Sequence, residues 1–154
     1  MGTLPASAGA RGGKHTAEME NITPAELLLR LLDACSDTED DARRLAQSTK
    51  VESMKSFLHE SAQQYRRAAD DLGNALRDEV RVEPVAHRRP ERRPAELDTD
   101  DVAALWERAE CDALTFFRDA YDTTLPADLA DTVKRHYEAG IARLERLRKL
   151  QARR

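Results

Sequence analysis

The chain has 154 residues, 35% of them charged and 5% aromatic, with a formal net charge of −4. This length suits one domain with a real core, and the charge fraction suits helices with narrow buried stripes and broad solvated faces. The mildly negative balance disfavours a dedicated nucleic-acid binder, and two cysteines, Cys35 and Cys111, are too few for a disulfide framework.

Residues 1–20 are rich in Gly, Ala, Ser and Thr and carry no period, so they are expected to form a disordered tail. They lack the apolar run of a secretory signal, and no stretch is long enough to span a membrane. Ala6 departs from the myristoylation pattern. With two thiols expected to stay reduced, the reading is a cytoplasmic protein without a membrane partner.

Residues 21–152 are expected to form an all-α, antiparallel four-helix bundle made of two helical hairpins. Thr23-Pro24-Ala25-Glu26 reads as a capping box with proline at the first helical position, opening a helix over 24–47. Leu27, Leu28, Leu31, Cys35, Thr38, Ala42 and Leu45 form its stripe, beside an acidic belt of Asp37, Glu39, Asp40 and Asp41. Thr49-Lys50-Val51-Glu52 reads as a second capping box, opening a helix over 50–80. The short connection makes this helix an antiparallel neighbour. Its stripe is Met54, Phe57, Leu58, Ser61, Tyr65, Ala68, Leu72 and Leu76.

Residues 81–98 change character. Pro84, Pro90 and Pro94 preclude a continuous helix. Fully extended, this linker reaches roughly 60 Å, whereas a helix of about 25 residues is about 38 Å long. Both a long crossover and a local loop remain open. Its arginines (Arg81, Arg88, Arg89, Arg92, Arg93) suit phosphates or an acidic partner. Without interleaved aromatics to stack on bases, a solvated loop is preferred and no nucleic-acid partner is assigned.

The second hairpin organises the chain. Its first helix, expected over 100–122, places Val102, Leu105, Ala109, Phe116 and Ala120 on one face, with Trp106, Ala113 and Phe117 widening the stripe. Its second, expected over 126–151, repeats the pattern with Leu129, Val133, Gly140, Leu144 and Leu147, flanked by Tyr137 and Ile141. Pro126 suits its first turn, and Asp128, Arg146, Arg148 and Lys149 suit its dipole. Gly140 is expected to admit a close approach, from Phe116 or Tyr65.

The second hairpin resembles a bacterial family of ferritin-like four-helix bundles, domain of unknown function 2383. The resemblance rests on Glu107-Arg108-Ala109-Glu110, Ala113-Leu114, Phe116-Phe117-Arg118-Asp119-Ala120, Leu125-Pro126 and the His136-Tyr137 region. In the first hairpin, Leu31-Leu32-Asp33 followed by Asp37, and then Glu60, match more loosely. The resemblance covers roughly residues 22–80 and 100–150. It implies a ferritin-like fold and, because the family has no agreed activity, no particular chemistry.

Di-iron bundles take a Glu from each of two helices and a Glu-x-x-His from each of the other two. The residues three positions before His15, His59, His87 and His136 are Gly12, Ser56, Pro84 and Val133, so that motif is absent. Glu39, Glu60, Glu110, Asp112, His136 and Glu138 form the nearest partial set, read as solvated helix surface. No catalytic, cofactor-binding or metal residue is assigned. Glu60, Glu110, Asp112 and His136 become the candidates only if metal is found. His136, expected opposite Asp112 on the neighbouring helix, is read first as structural rather than as a metal or pH-responsive group. Cys35 lies within an apolar stripe with no basic neighbour in sequence. Cys111 has Arg108 one turn before it, which favours a thiolate, although an exposed surface thiol is the default.

The reading is therefore a non-enzymatic bundle that needs no cofactor and acts through self-association or binding of another protein. Trp106 and Phe117, at the stripe edge, are expected to cover the partner or the linker. The alternative is a ferritin-like metal (iron)-binding or redox/stress protein with a non-standard site.

Overall fold

The computed structural model describes residues 23–79 and 97–153. The expected tail, and the expected linker apart from Leu97 and Asp98, lie outside the described residues. Within them are four helices: α1 (Pro24–Ser48), α2 (Glu52–Glu79), α3 (Thr99–Tyr121) and α4 (Ala127–Ala152). The architecture is the expected all-α four-helix bundle. None of the four helices is long and apolar enough to cross a membrane.

Local chemistry sets the helix ends. The Thr23 hydroxyl accepts the Glu26 N–H at 3.2 Å, and Pro24 sits where a missing N–H is harmless. The second start differs from the expected capping box. The Thr49 hydroxyl accepts the Val51 N–H at 3.2 Å inside the turn, and α2 begins only at Glu52. Ser48 and Thr49 are buried in that turn, at 5% and 2% exposure, so their polar groups need partners. Ser48 Oγ donates to the Arg44 carbonyl, and the Ser48 carbonyl accepts the Leu97 N–H. At the other hairpin, the Asp122 and Thr123 N–H groups close on the Arg118 and Ala120 carbonyls, and Pro126 precedes α4 in extended conformation.

Side-chain pairs give the helix directions. Glu60 with Arg146, Gln64 with Arg143 and Asp71 with His136 show that numbers rise on α2 as they fall on α4. The Leu97–Ser48 bond puts the start of α3 at the end of α1. Each of α1 and α4 packs on both α2 and α3. Neighbouring helices are thus antiparallel, while α2 and α3 face each other across the diagonal and run parallel. Glu79 and Leu97 consequently stand at opposite poles of a bundle about 40 Å long.

The core holds Leu28, Leu31, Phe57, Leu58, Tyr65, Leu72, Trp106, Phe117 and Leu147, all at 2% exposure or less. On α3 the expected stripe holds at Val102, Ala113 and Ala120, which are buried, and is corrected at Leu105 and Phe116. Trp106 and Phe117 are fully buried, whereas Leu105 and Phe116 are 47% and 41% exposed. The two rows lie about 100° apart on the helix, so the period admits both. Side-chain size separates them, because the indole removes more apolar area from water than a leucine does. Trp106 and Phe117 therefore do not wait at the edge for a partner.

Candidate functional site

Turning Trp106 and Phe117 inward carries Glu110 with them. The spacing from Trp106 to Glu110 to Ala113 to Phe117 is four, three and four, which is one continuous buried row. Glu110 is fully buried, contrary to its expected place on the solvated surface. On α4 the row Gly140, Arg143, Leu144 and Leu147 brings a second charge inside, with Arg143 at 4% exposure.

These two charges meet. Arg143 Nε donates to Glu110 Oε1 at 2.6 Å, and Arg143 Nη2 to Glu110 Oε2 at 3.3 Å. Arg143 Nη1 donates to Gln64 Oε1 at 2.6 Å. The Tyr65 hydroxyl donates to Glu110 Oε2. Arg143 also lies 4.6 Å from the centroid of the Tyr65 ring, which receives the edge of Trp106 on an 80° interplanar angle. Three helices, α2, α3 and α4, are thereby tied to one buried carboxylate. The Trp106 Nε1–H is buried beside this network and has no acceptor among the described residues.

Burial pushes the Glu110 carboxyl above its ordinary range, against the pull of Arg143 and its hydrogen bonds. The same environment reaches Cys35 on α1. Burial is the main cause of a Cys35 thiol pushed up to about 12, with Arg143 opposing and Glu110 reinforcing. Arg143 is thus a basic neighbour of Cys35 that sequence spacing does not reveal, and it does not outweigh burial.

Gly140 provides the room. A Cβ there would strike Leu114 Cδ2, and would stand 3.2 Å from Leu114 Cγ and from Arg143 Nη2. The close approach is real, but it belongs to Leu114 and Arg143 rather than to Phe116 or Tyr65.

The four candidate ligands are not brought together. Glu60 is exposed and pairs with Arg146 at 2.8 Å. Asp112 is exposed on α3. His136 is half-buried on α4, with Nε2 at 2.9 Å from Asp71 Oδ2 and its ring against Phe117. Its partner is therefore Asp71 of α2, shared with Arg135 at 3.7 Å, and not Asp112. The reason is geometric, since Asp112 points outward from α3 while His136 turns toward α2. Glu60 and Asp71, the α2 residues that mark these levels, are about 16 Å apart along the axis. Among the described residues no group of three or more His, Cys, Asp or Glu is gathered for a metal ion. Both Glu110 oxygens already accept from Arg143, so the donor set does not fit a di-iron centre.

Cys111 is exposed, but it does not favour the thiolate. Partial burial and the nearby Glu107, Glu110 and Asp112 carboxylates raise its pKa, and Arg148 opposes them.

No protein-family model and no curated protein matches the chain.

Proposed function

We propose that the chain is a non-enzymatic, ferritin-like helical bundle that acts by association, first with a second copy of itself. The observation that carries this reading is the outward face of α3. Leu105 and Phe116 stand exposed about three turns apart on one side of the helix, about 100° round from the buried row of Trp106, Glu110, Ala113 and Phe117. Among the described residues, the other exposed large apolar side chains are scattered: Val51 in a turn, Tyr121 at a helix end and Ile141 on α4. Scattered residues of that kind are ordinary, whereas a shared face asks for a cover.

The interior supports the same reading from the other side. Where a metal-binding bundle converges its ligands, this chain places a guanidinium, and Arg143 supplies the positive charge that balances Glu110. The antiparallel neighbours and the parallel diagonal pair α2 and α3 suit a ferritin-like order. The two unpaired thiols suit a reducing cytoplasm.

Elemental analysis and light scattering on the freshly purified full chain test the proposal. The expected result is protein without stoichiometric metal and a mass above that of the 17.3 kDa monomer. Stoichiometric iron or manganese in a strict monomer would overturn it in favour of a metal-binding protein. A monomer that forms a defined complex with another protein would redirect it to that partner.

A further inference from the structure

We propose that two copies pair antiparallel through one face of α3, with Leu105 of each copy seated on Phe116 of the other and Arg108 of each beside Asp112 of the other. This rests on the association reading and adds its surface, symmetry and charge pairing.

The face is built by Leu105, Ala109, Asp112 and Phe116. Their spacing is four, three and four, the repeat that keeps one seam against a partner helix. The same spacing reads identically from either end. An antiparallel copy therefore lays its seam on the first in register, about a two-fold axis between Ala109 and Asp112, as an isologous contact demands. Leu105 then meets Phe116, and Ala109 meets Asp112. Ala109 is small and half-buried, so it admits the approach at the centre.

Charge makes the register specific. An acidic residue in an apolar seam is unfavourable without a partner. Arg108 is next to Ala109 on the helix, so on the opposing copy it stands beside Asp112. Arg108 and Asp112 are both available for pairing, and neither has an ion-pair partner among the described residues. Each antiparallel pair supplies two such contacts, and a parallel pair would bring like residues together instead. Two large apolar residues per copy make a small seam compared with the roughly 800 Å² per partner of a standard interface. The pairing is therefore concentration-dependent rather than permanent.

The test uses sedimentation velocity of the full chain and of two single variants, Arg108→Asp and Asp112→Arg, alone and in an equimolar mixture. Circular dichroism and Tm establish that both variants remain folded. Each variant alone sets like charges against like and should associate at least tenfold more weakly than the native chain. In the mixture, an Arg108→Asp copy facing an Asp112→Arg copy restores opposite charges at both contacts, and the dimer should return. A native dimer that both variants retain, or a mixture that stays monomeric, overturns this face while leaving association standing. A native chain that is monomeric at every concentration overturns the association reading itself.

Discussion

The Arg143 guanidinium of α4 donates to both carboxylate oxygens of Glu110 on α3, at 2.6 and 3.3 Å, in a largely apolar core. Two charges leave water here, and each is tolerable only because the other is present. Gln64 and Tyr65 of α2 occupy further donor and acceptor positions of the pair. The arrangement ties helix register to chemistry. Sliding α4 by one residue against α3 would part the charges and leave both buried.

Arg143→Met should therefore cost about 3–5 kcal/mol, since it strands the Glu110 carboxylate in the core. For a domain whose whole stability is about 5–15 kcal/mol, that is a large fraction. The double variant Glu110→Leu/Arg143→Met removes both charges and should return close to native stability. Urea unfolding monitored by circular dichroism measures the difference. A double variant as damaged as the single one would mean that packing, rather than the unpaired charge, sets the cost.

The pH dependence follows from the same carboxyl. Glu110 holds its proton more tightly in the folded chain than at the ordinary value of 4.5 expected once unfolded. Between those two values the folded chain binds more protons, so this contribution to stability falls as pH rises and returns on acidification. Glu110→Gln carries no such proton. The stability of the native chain minus that of Glu110→Gln should decrease as pH climbs from 4.5, measured by urea unfolding at constant ionic strength. A difference that grows with pH would mean that Arg143 prevails over burial.

Gly140→Ala ordinarily gains about 1 kcal/mol in a helix. Here the new Cβ meets Leu114 Cδ2 and stands 3.2 Å from Arg143 Nη2 and Leu114 Cγ, so both buried side chains must shift. The expected outcome is a net loss of about 1–3 kcal/mol, the usual range for overpacking. In a Leu114→Ala background the same substitution should lose less or gain. Thermal unfolding of the four proteins gives the cycle, and simple additivity would contradict the steric account.

The thiols should separate by rate. Cys111 is exposed yet biased toward the protonated form by its acidic neighbours, so a disulfide reagent should label it more slowly than a small free thiol at neutral pH. Cys35 is buried with its thiol pushed up to about 12, and should react only on unfolding. Counting labelled thiols with and without urea checks both statements. Two fast thiols in the native chain would contradict the placement of Cys35.

Helix existence and nearly all helix ends are legible in the sequence, because three-four spacing, the Thr23 cap and the two prolines mark them locally. The rotation of α3 is not. Rows through Leu105 and through Trp106 differ by one residue, and hydrophobic period does not choose between them. The row through Trp106, Glu110, Ala113 and Phe117 is nevertheless visible, and with Gly140-x-x-Arg143 on the next helix it places an acid and a base at core positions. Taking the larger side chain as the inward one finds the pair. The partner of His136 has no local signal. It depends on α4 lying beside α2, which follows from how the two hairpins pack and not from any spacing within one helix.

The most direct test of association through α3 is sedimentation velocity over a dilution series of the full chain beside Leu105→Asp/Phe116→Asp. Both residues are exposed, so the double variant keeps the core intact. The expected result is a native dimer that dissociates on dilution and a variant that is monomeric throughout. A native chain that stays monomeric at every concentration, or a variant that keeps the native dimer, would contradict it.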